Sequence, residues 1–338
     1  METEDLRYEE HEDFNQYLDD TENDVIIAGV TLRASEVLFT MQKETYRIAL
    51  TDYQNQQSEE FKQKVFDNYP TPIAYYFRQT HFGYLDHNNR LHLLRSTWEA
   101  MIFVLYAIII GEARRKSFPL RSAGVRENDL YSFSVDRKLS IIEKVLTHDN
   151  ANGFGLKCGT YFDVAEIVKI KQLNYKRNGF QHSGALSEEQ AATLFSELIP
   201  EVLDALKSIS AIENIEVFHF LNSDGNPLSL RCETFIGQSP NRTLKTYSIS
   251  AAQMAFAGAE LNNQCVLAKI DDDIFSVSPF LHFKSDDDGH LTNLCYLHQF
   301  NTDNPAEFKF EIARRAVYYM EPIATFNNRM LELRALST

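Results

Sequence analysis

Three side chains suited to phosphate chemistry lie close together in residues 175–184, which read Tyr-Lys-Arg-Asn-Gly-Phe-Gln-His-Ser-Gly. In a continuous helix Asn178 and His182 share one face, and Arg177 lies about 140° from His182 around the axis. Histidine exchanges protons near neutral pH, and arginine offers a planar fork of donors that fits a phosphate. Asn178 could fix the imidazole tautomer or hold a ribose hydroxyl. The segment therefore predicts a site that holds a phosphate and moves a proton.

This chemistry amounts to cleavage of a phosphoester without a metal, because no cluster of metal ligands or cofactor motif accompanies the three residues in the sequence. A general base would activate a ribose 2′-hydroxyl, and charged donors would hold the phosphorane oxygens. One chain supplies one motif histidine, so the general acid would come from a second copy in a symmetric dimer. The alternative is that Arg177 and His182 only make surface or capping bonds at a helix end.

The motif lies at the end of a predicted helix that runs from about Thr160 to His182. Lysines make this helix basic although the whole chain is acidic. We expect two of them, Lys169 and Lys176, to line a path for RNA, because phosphates bind cationic side chains.

A second helix begins soon after the motif. Ser187 and Gln190 occupy the N-cap and N3 positions of a capping box, and apolar residues recur at helical spacing as far as Ile209. Two helices joined by a tight turn form an antiparallel pair. The three motif residues would then lie near the connection between them.

The strongest helix is predicted to begin at Asn88 or Asn89, either of which can cap it, and to end near Lys116. It is apolar nearly all round, as expected at the centre of a bundle. Its most hydrophobic window, 100–110, has 11 residues, whereas a membrane span needs about 20. The pattern predicts the buried helix of a soluble protein. Glu99 within it is expected to pair with a core arginine or hydroxyl, or to mark a polar spot near a site.

A basic segment follows this helix and includes Arg114, Arg115, Lys116, Arg121 and Arg126. Two interpretations remain open. The first three residues can form a solvated helix end that complements the helix dipole. Alternatively, Arg114, Arg115 and Arg121 form a rim that contacts phosphates and extends the path for RNA.

The composition restricts the classes of protein to consider. The chain has 338 residues, of which 44% are hydrophobic, enough for one large or two medium domains. Its net charge of −15 argues against bulk attachment to nucleic acid or to an anionic membrane, but not against a local basic groove. The four cysteines are scattered without zinc spacing, and no signal peptide is visible. A cytoplasmic protein is expected.

Three regions follow from the pattern of residue types. Residues 1–24 contain eleven acidic side chains and one arginine, which predicts a weakly ordered arm. Residues 25–211 have helical periodicity. Residues 212–338 contain six or seven short runs typical of strands, followed by a terminal helix. The predicted fold class is therefore α+β, with a helical bundle followed by a β-rich sensing or partner-binding domain.

The motif resembles the R-x(4–6)-H signature of the HEPN superfamily, in the form Arg177-Asn178-Gly179-Phe180-Gln181-His182. The likeness extends over roughly residues 70–210. Within it, two runs resemble the first helices of bacterial HEPN proteins: Tyr69-Pro70-Thr71-Pro72-Ile73-Ala74, and Leu94 followed by Trp98-Glu99-Ala100. Two later runs resemble the β-module that often follows such domains: Phe235-Ile236-Gly237 and Val277-Ser278-Pro279-Phe280.

The resemblance implies a helical bundle that dimerises through the motif helices and cleaves RNA, such as tRNA, without a metal or another cofactor. His182 would be the general base or acid, Arg177 would bind the scissile phosphate, and Asn178 would position one of them. Such proteins serve in bacterial toxin–antitoxin, antiviral defence and stress systems. A protein partner encoded nearby is expected, and no membrane.

One departure from the family pattern limits what the resemblance implies. Toxins of this family that pair with nucleotidyltransferase antitoxins carry a tyrosine two residues after the histidine, where this chain has Gly184. Regulation by modification of that tyrosine is therefore not expected. Many HEPN domains keep the fold and only bind nucleotides or partners, so a non-catalytic adaptor is the alternative function. A structural interaction protein with a coincidental motif is the third.

Overall fold

The computed structural model describes the backbone of residues 6–27, 29–178, 186–224, 228–238, 243–253, 265–285, 292–301, 307–312 and 317–338. The side chains of residues 175–178, 224 and 301 lie outside that description. The chain divides into two compact units, Met1–Lys64 and Val65–Thr338. Each unit has a hydrophobic cluster of its own.

The first unit consists of short elements and most of one long helix. In chain order these are a 3-10 turn Tyr8–Glu10, α1 Glu12–Thr21, β1 Val25–Ile27, β2 Val30–Leu32, α2 Ala34–Met41 and α3 Lys43–Asn68, which continues into the second unit. Strands β1 and β2 pair antiparallel, with Ile26 opposite Thr31.

The prediction of a weakly ordered arm over residues 1–24 is wrong for the part that the structure describes. Phe14 and Leu18 lie one turn apart on α1 and are buried in a cluster with Tyr46 and Leu50 of α3. The side-chain oxygen of Asn15 accepts a hydrogen bond of 2.5 Å from the Tyr46 hydroxyl. Two apolar side chains at a spacing of four anchor this helix, although acidic residues surround them.

The second unit begins with helices that surround one central helix. They are α4 Thr71–Phe82, α5 His87–Arg115, α6 Glu127–Leu130, α7 Val135–Asn152, α8 Cys158–Tyr161, α9 Val164–Asn178 and α10 Glu188–Ser208. Helix α5 contacts α4, α7 and α10. Within the described residues it is the one helix long and apolar enough to cross a membrane, but 78% of its apolar window is buried inside the protein. Such burial is typical of the core helix of a soluble domain.

The predicted helix starts are confirmed at α10 and corrected at α5. Ser187 and Gln190 make both hydrogen bonds of the capping box. Helix α5 is capped by Asp86, whose carboxylate accepts the backbone N–H of Asn89 at 2.9 Å, and not by Asn88 or Asn89. Aspartate caps a helix as well as asparagine does, so residue type alone could not choose between neighbouring positions.

Nine strands lie in the described part of residues 216–322 and form two antiparallel sheets. The order β5-β4-β3-β6-β7 joins β3 Glu216–Asp224, β4 Ser229–Thr234, β5 Thr243–Ser248, β6 Val266–Ile270 and β7 Asp273–Ser276. The order β11-β10-β9-β8 joins β8 Leu281–Ser285, β9 Thr292–Asn301, β10 Glu307–Ile312 and β11 Val317–Pro322. A 3-10 turn Ile323–Phe326 and helix α11, Asn327–Ser337, follow. The predicted α+β class is confirmed.

The predicted boundary at 211/212 marks a change of secondary structure inside one compact unit. Helix α5 packs directly on the sheets: a Cβ at Gly111 would lie 2.8 Å from the carbonyl oxygen of Ser276 in β7. The rings of Phe103 in α5 and Tyr296 in β9 have centroids 5.0 Å apart. The helices and sheets therefore share one core. The predicted boundary at 24/25 likewise falls inside the first unit.

Candidate functional site

The structure places two of the three motif residues at the end of helix α9. Arg177 and Asn178 are the last two residues of that helix in the described backbone. His182 lies outside the described residues, and so do the side chains of Lys176, Arg177 and Asn178. The shared helical face of Asn178 and His182 therefore stays a prediction.

The motif helix is fixed on the central helix one turn before the motif. Ile167, Ile170 and Asn174 of α9 are buried. The amide oxygen of Asn174 accepts a hydrogen bond of 3.2 Å from the indole N–H of Trp98 in α5. A helix packed in this way positions a functional side chain more narrowly than a loop does. Positions 177 and 178 thus directly follow a turn of α9 that is buried and hydrogen-bonded to the central helix.

A small apolar cavity of about 50 Å³ lies where α5, α9 and α10 meet. Its lining residues are Leu91, Leu94, Arg95, Trp98, Leu173, Leu198, Glu201 and Val202. Small-molecule sites usually enclose about 300–1,000 Å³. This cavity is therefore a packing gap between helices, and it is too small to hold a nucleotide.

The start of α5 is tied to the start of α10, next to the segment that carries His182. Glu188 accepts a hydrogen bond of 2.6 Å from the backbone N–H of His87, and its carboxylate lies 2.7 Å from Nδ1 of the same residue. The side-chain amide of Asn88 donates to the carbonyl oxygen of Leu186 at 3.5 Å. The bonds from the backbone and ring of His87 hold the pKa of Glu188 below its usual range.

His87 is a histidine at the start of α5 that the sequence analysis did not single out. Its side chain is 31% exposed, and the contact with Glu188 orients the imidazole as a carboxylate partner does in acid–base sites. The two residues are 101 positions apart, so no local spacing could have revealed the pair.

Arg114, which was predicted to bind RNA, is a buried structural residue. Its side chain is 3% exposed and forms an ion pair with Glu332 of α11. It also donates to the carbonyl oxygen of Ser276 in β7 at 3.4 Å. Because the last turn of α5 is enclosed by the sheet and by α11, neither a solvated helix end nor a phosphate rim describes this residue. Both interpretations of Arg114 are wrong.

The other described residues predicted to bind RNA have separate environments. Arg115 is half-buried at the end of α5, and Arg121 is exposed in the loop that follows. Lys169 is exposed on α9 and forms an ion pair with Glu166 on the same helix. Without Arg114 the predicted rim is reduced to Arg115 and Arg121.

Glu99 has an arginine partner, but not the core arginine that was predicted. Its carboxylate lies 2.9 Å from Nε of Arg95, one turn earlier on α5. The side chain of Arg95 is 48% exposed, so the pair lies at the edge of the core and not within it. Across the described ranges, no group of three or more histidine, cysteine, aspartate or glutamate side chains is placed to hold a metal ion.

A polar groove of about 850 Å³ runs along helix α7 and reaches helix α9. One face of α7 lines it, because its residues recur at spacings of three and four: Arg137, Ser140, Lys144, Thr147 and His148. The remaining lining residues are Ser122, Ala123, Asp129, Ser132, Ser134, Asp136, Ile141, Glu143, Ala151 and, on α9, Lys171. This α7 groove is large enough to hold a nucleotide.

Positive and negative charges balance in the α7 groove. Arg137 forms an ion pair of 3.1 Å with Asp129, and Lys171 forms one of 2.7 Å with Glu143. The ammonium group of Lys144 donates to a backbone carbonyl oxygen at 3.1 Å. Serine and threonine hydroxyls supply much of the rest of the lining. This lining suits sugar hydroxyls and single phosphates better than a long polyanion.

Comparisons of the chain with protein families, with curated proteins and with solved structures found no match.

Proposed function

We propose that the protein is a metal-independent endoribonuclease of HEPN type, active as a homodimer with a composite site. The observation that carries the proposal is the placement of Arg177 and Asn178 at the end of helix α9, which Trp98 and Asn174 fix on the central helix of the bundle. In this proposal His182 exchanges the proton of the ribose 2′-hydroxyl, Arg177 holds the scissile phosphate, and Asn178 positions one of them.

In this proposal the α7 groove holds only a short stretch of the RNA, one or two nucleotides next to the cleaved bond, as its balanced charges allow. Lys171 lines the groove, and position 178 follows it by seven residues, about 10 Å further along nearly the same face of α9. A strand in the groove would therefore lead towards the motif. The hydroxyl-rich lining would contact the sugars, while Lys171, Lys144 and Arg137 exchange their present partners for phosphates. Lys169 and Arg121 remain as exposed cations, and Arg114 is removed from the predicted path.

The proposal needs a proton donor for the leaving group besides the base. In a dimer that pairs the two α9 helices, His182 of the second chain would supply it. His87, whose ring is hydrogen-bonded to Glu188, is the alternative donor within the same chain, and with this donor cleavage would not require a dimer. Replacement of His87 distinguishes a proton donor in the same chain from one in the partner chain.

The setting proposed for this activity is the bacterial cytoplasm, in a defence, toxin–antitoxin or stress system. The substrate would be tRNA or another cellular RNA. The acidic remainder of the chain, which has a net charge of −15, would limit indiscriminate binding of RNA.

The test is cleavage of tRNA and mixed RNA by the purified protein in EDTA. We expect wild-type protein to cleave, and Arg177→Ala and His182→Ala each to lose at least about a hundredfold in rate, the usual contribution of a general base or of an oxyanion contact. His87→Ala should lower the rate similarly if the donor lies in the same chain, and should leave it unchanged if the donor is in the partner.

The matched control is His92→Ala, which removes an exposed histidine from the same helix α5. It should cleave as wild type does. Cleavage that is equal in wild type and in both motif variants, or its absence under all conditions, would reject the nuclease. If RNA or a protein partner still binds without cleavage, the function is that of a HEPN-fold adaptor.

A further inference from the structure

The first compact unit carries most of the charge of the protein. Residues 1–64 contain sixteen acidic and six basic side chains, so this fifth of the chain has a net charge of −10 out of −15. Exposed charged residues lie on both sides of the β1–β2 hairpin in the chain: Asp20, Glu22 and Asp24 precede it, and Arg33 and Glu36 follow it, so four carboxylates stand against one guanidinium. The surface around the hairpin is therefore strongly negative.

The hairpin itself presents apolar side chains to solvent. Ile26 is 72% exposed, Val30 is 57% exposed, and Val25 and Ile27 are each 37% exposed. None of the four belongs to the buried cluster of this unit, which is formed by Phe14, Leu18, Tyr46 and Leu50 with their neighbours. These four side chains therefore do not pack in the hydrophobic cluster of their own unit.

The hairpin is also an incomplete sheet. In the described part of the chain β1 and β2 pair only with each other, so each strand keeps one edge with unpaired backbone groups. A two-stranded hairpin is only marginally stable in water, and three strands with an apolar face are usually needed. An exposed apolar edge is the usual template for addition of a strand from another chain.

We propose that this hairpin binds an extended, basic segment of a protein partner by strand addition. The backbone of the segment would bond to the free edge of β1 or β2, and its apolar side chains would cover the face that Ile27 and Val30 share as paired residues. Its lysines or arginines would meet the carboxylates that flank the hairpin, namely Asp20, Glu22, Asp24 and Glu36. This inference is independent of the proposed ribonuclease activity, because it uses no residue of the motif or of the α7 groove.

The negative charge of the first unit favours a basic segment over a second copy of the chain and over nucleic acid as the partner of the hairpin. A second copy of the chain would bring two units of net charge −10 together, and their repulsion opposes pairing of the hairpins. Nucleic acid is disfavoured for the same reason. A basic segment gains from the field of the unit, and this gain should weaken as salt is added.

The experiment measures binding of a labelled ten-residue peptide of alternating lysine and valine to the full-length protein by fluorescence anisotropy. Wild-type protein should bind this peptide more tightly than a decamer of lysine or a peptide of alternating glutamate and valine. Methylation of every second backbone nitrogen of the peptide should abolish binding, because it removes the donors that pair with the strand edge. This arm uses wild-type protein and does not depend on the folding of a variant.

The matched protein variants change exposed apolar residues inside and outside the hairpin. The double variant Ile27→Ser, Val30→Ser, which changes two paired residues on one face, should lose more than about tenfold in affinity through lost apolar contact. Ile48→Ser, which alters a residue that is 57% exposed on α3, should bind as wild type does. Equal binding of the lysine decamer, tolerance of methylation, no binding at all, or an oligomer that the double variant dissociates would each overturn the proposal.

Discussion

Lys138 occupies the apolar face of α7, four residues before Ile142 and seven before Val145. Its side chain is 1% exposed, and its ammonium nitrogen lies 4.2 Å from the ring centroid of Tyr106 and 4.6 Å from that of Phe103. Aromatic faces attract a cation, but they replace water only in part. Burial therefore lowers the pKa of Lys138 to about 7. The helical spacing placed this lysine on the buried face, although its residue type argues for the surface.

We expect Lys138→Met to stabilise the protein at pH 7 by about 2 kcal/mol or more, since a shift of one pKa unit corresponds to roughly 1.4 kcal/mol. In the folded state the pKa of Lys138 lies below its ordinary value of 10.5. Between pH 7 and 10.5 the unfolded chain therefore binds more protons, so wild-type stability gains from this residue as pH rises through that window. Below pH 7 both states are protonated, and the full cost of the buried charge remains.

The measurement is unfolding by urea at pH 7 and pH 10 for wild type and Lys138→Met. The advantage of the variant should shrink at the higher pH. Lys144→Met on the same helix removes a lysine whose ammonium group bonds a backbone carbonyl oxygen, and it should not stabilise the protein. A variant at position 138 that is less stable than wild type at pH 7 would contradict the account of this residue.

Among the secondary-structure elements, residue spacing and capping residues predicted the helices well, but they did not predict the contacts at the helix ends. The capping box of α10 and the central position of α5 follow from residue spacing within a few turns. The role of Arg114 depends on Glu332, which is 218 residues away, and on a sheet that the sequence assigned to another domain. No pattern along α5 could distinguish this arginine from a solvated one.

Two substitutions in the basic segment that begins at the end of α5 should therefore affect different properties, one the stability of the protein and the other its affinity for RNA. Arg114→Ala should destabilise the protein by about 2 kcal/mol, because it removes a buried side chain with its contacts to Glu332 and Ser276 and leaves a void between α5, β7 and α11. Arg121→Ala removes an exposed side chain and should change stability by less than about 0.5 kcal/mol. In the proposed function, Arg121→Ala lowers the affinity for RNA and Arg114→Ala affects it only through folding.

The measurements are thermal unfolding and the salt dependence of RNA binding for both variants. If Arg114→Ala were as stable as wild type and lost affinity for RNA, the arginine would be a phosphate contact after all.

At the scale of the whole molecule, the sequence predicted the α+β class and the order of helices before strands. It did not predict how the chain divides, because the division depends on packing between distant residues: Gly111 of α5 lies against Ser276, and Phe103 lies against Tyr296. The candidate site was predicted from one short motif. Its support by Trp98 and Asn174, and the neighbouring pair of His87 and Glu188, became visible only in three dimensions.

In the proposed function each chain carries half of a ribonuclease site. The most direct measurement follows cleavage of end-labelled tRNA in EDTA across protein concentrations that span the monomer–dimer transition, with wild type and His182→Ala. We expect the rate per chain to rise with the dimer fraction, the products to end in 2′,3′-cyclic phosphate, and the variant to be inactive. Cleavage by a strict monomer, products without cyclic phosphate, or an active variant would contradict this function.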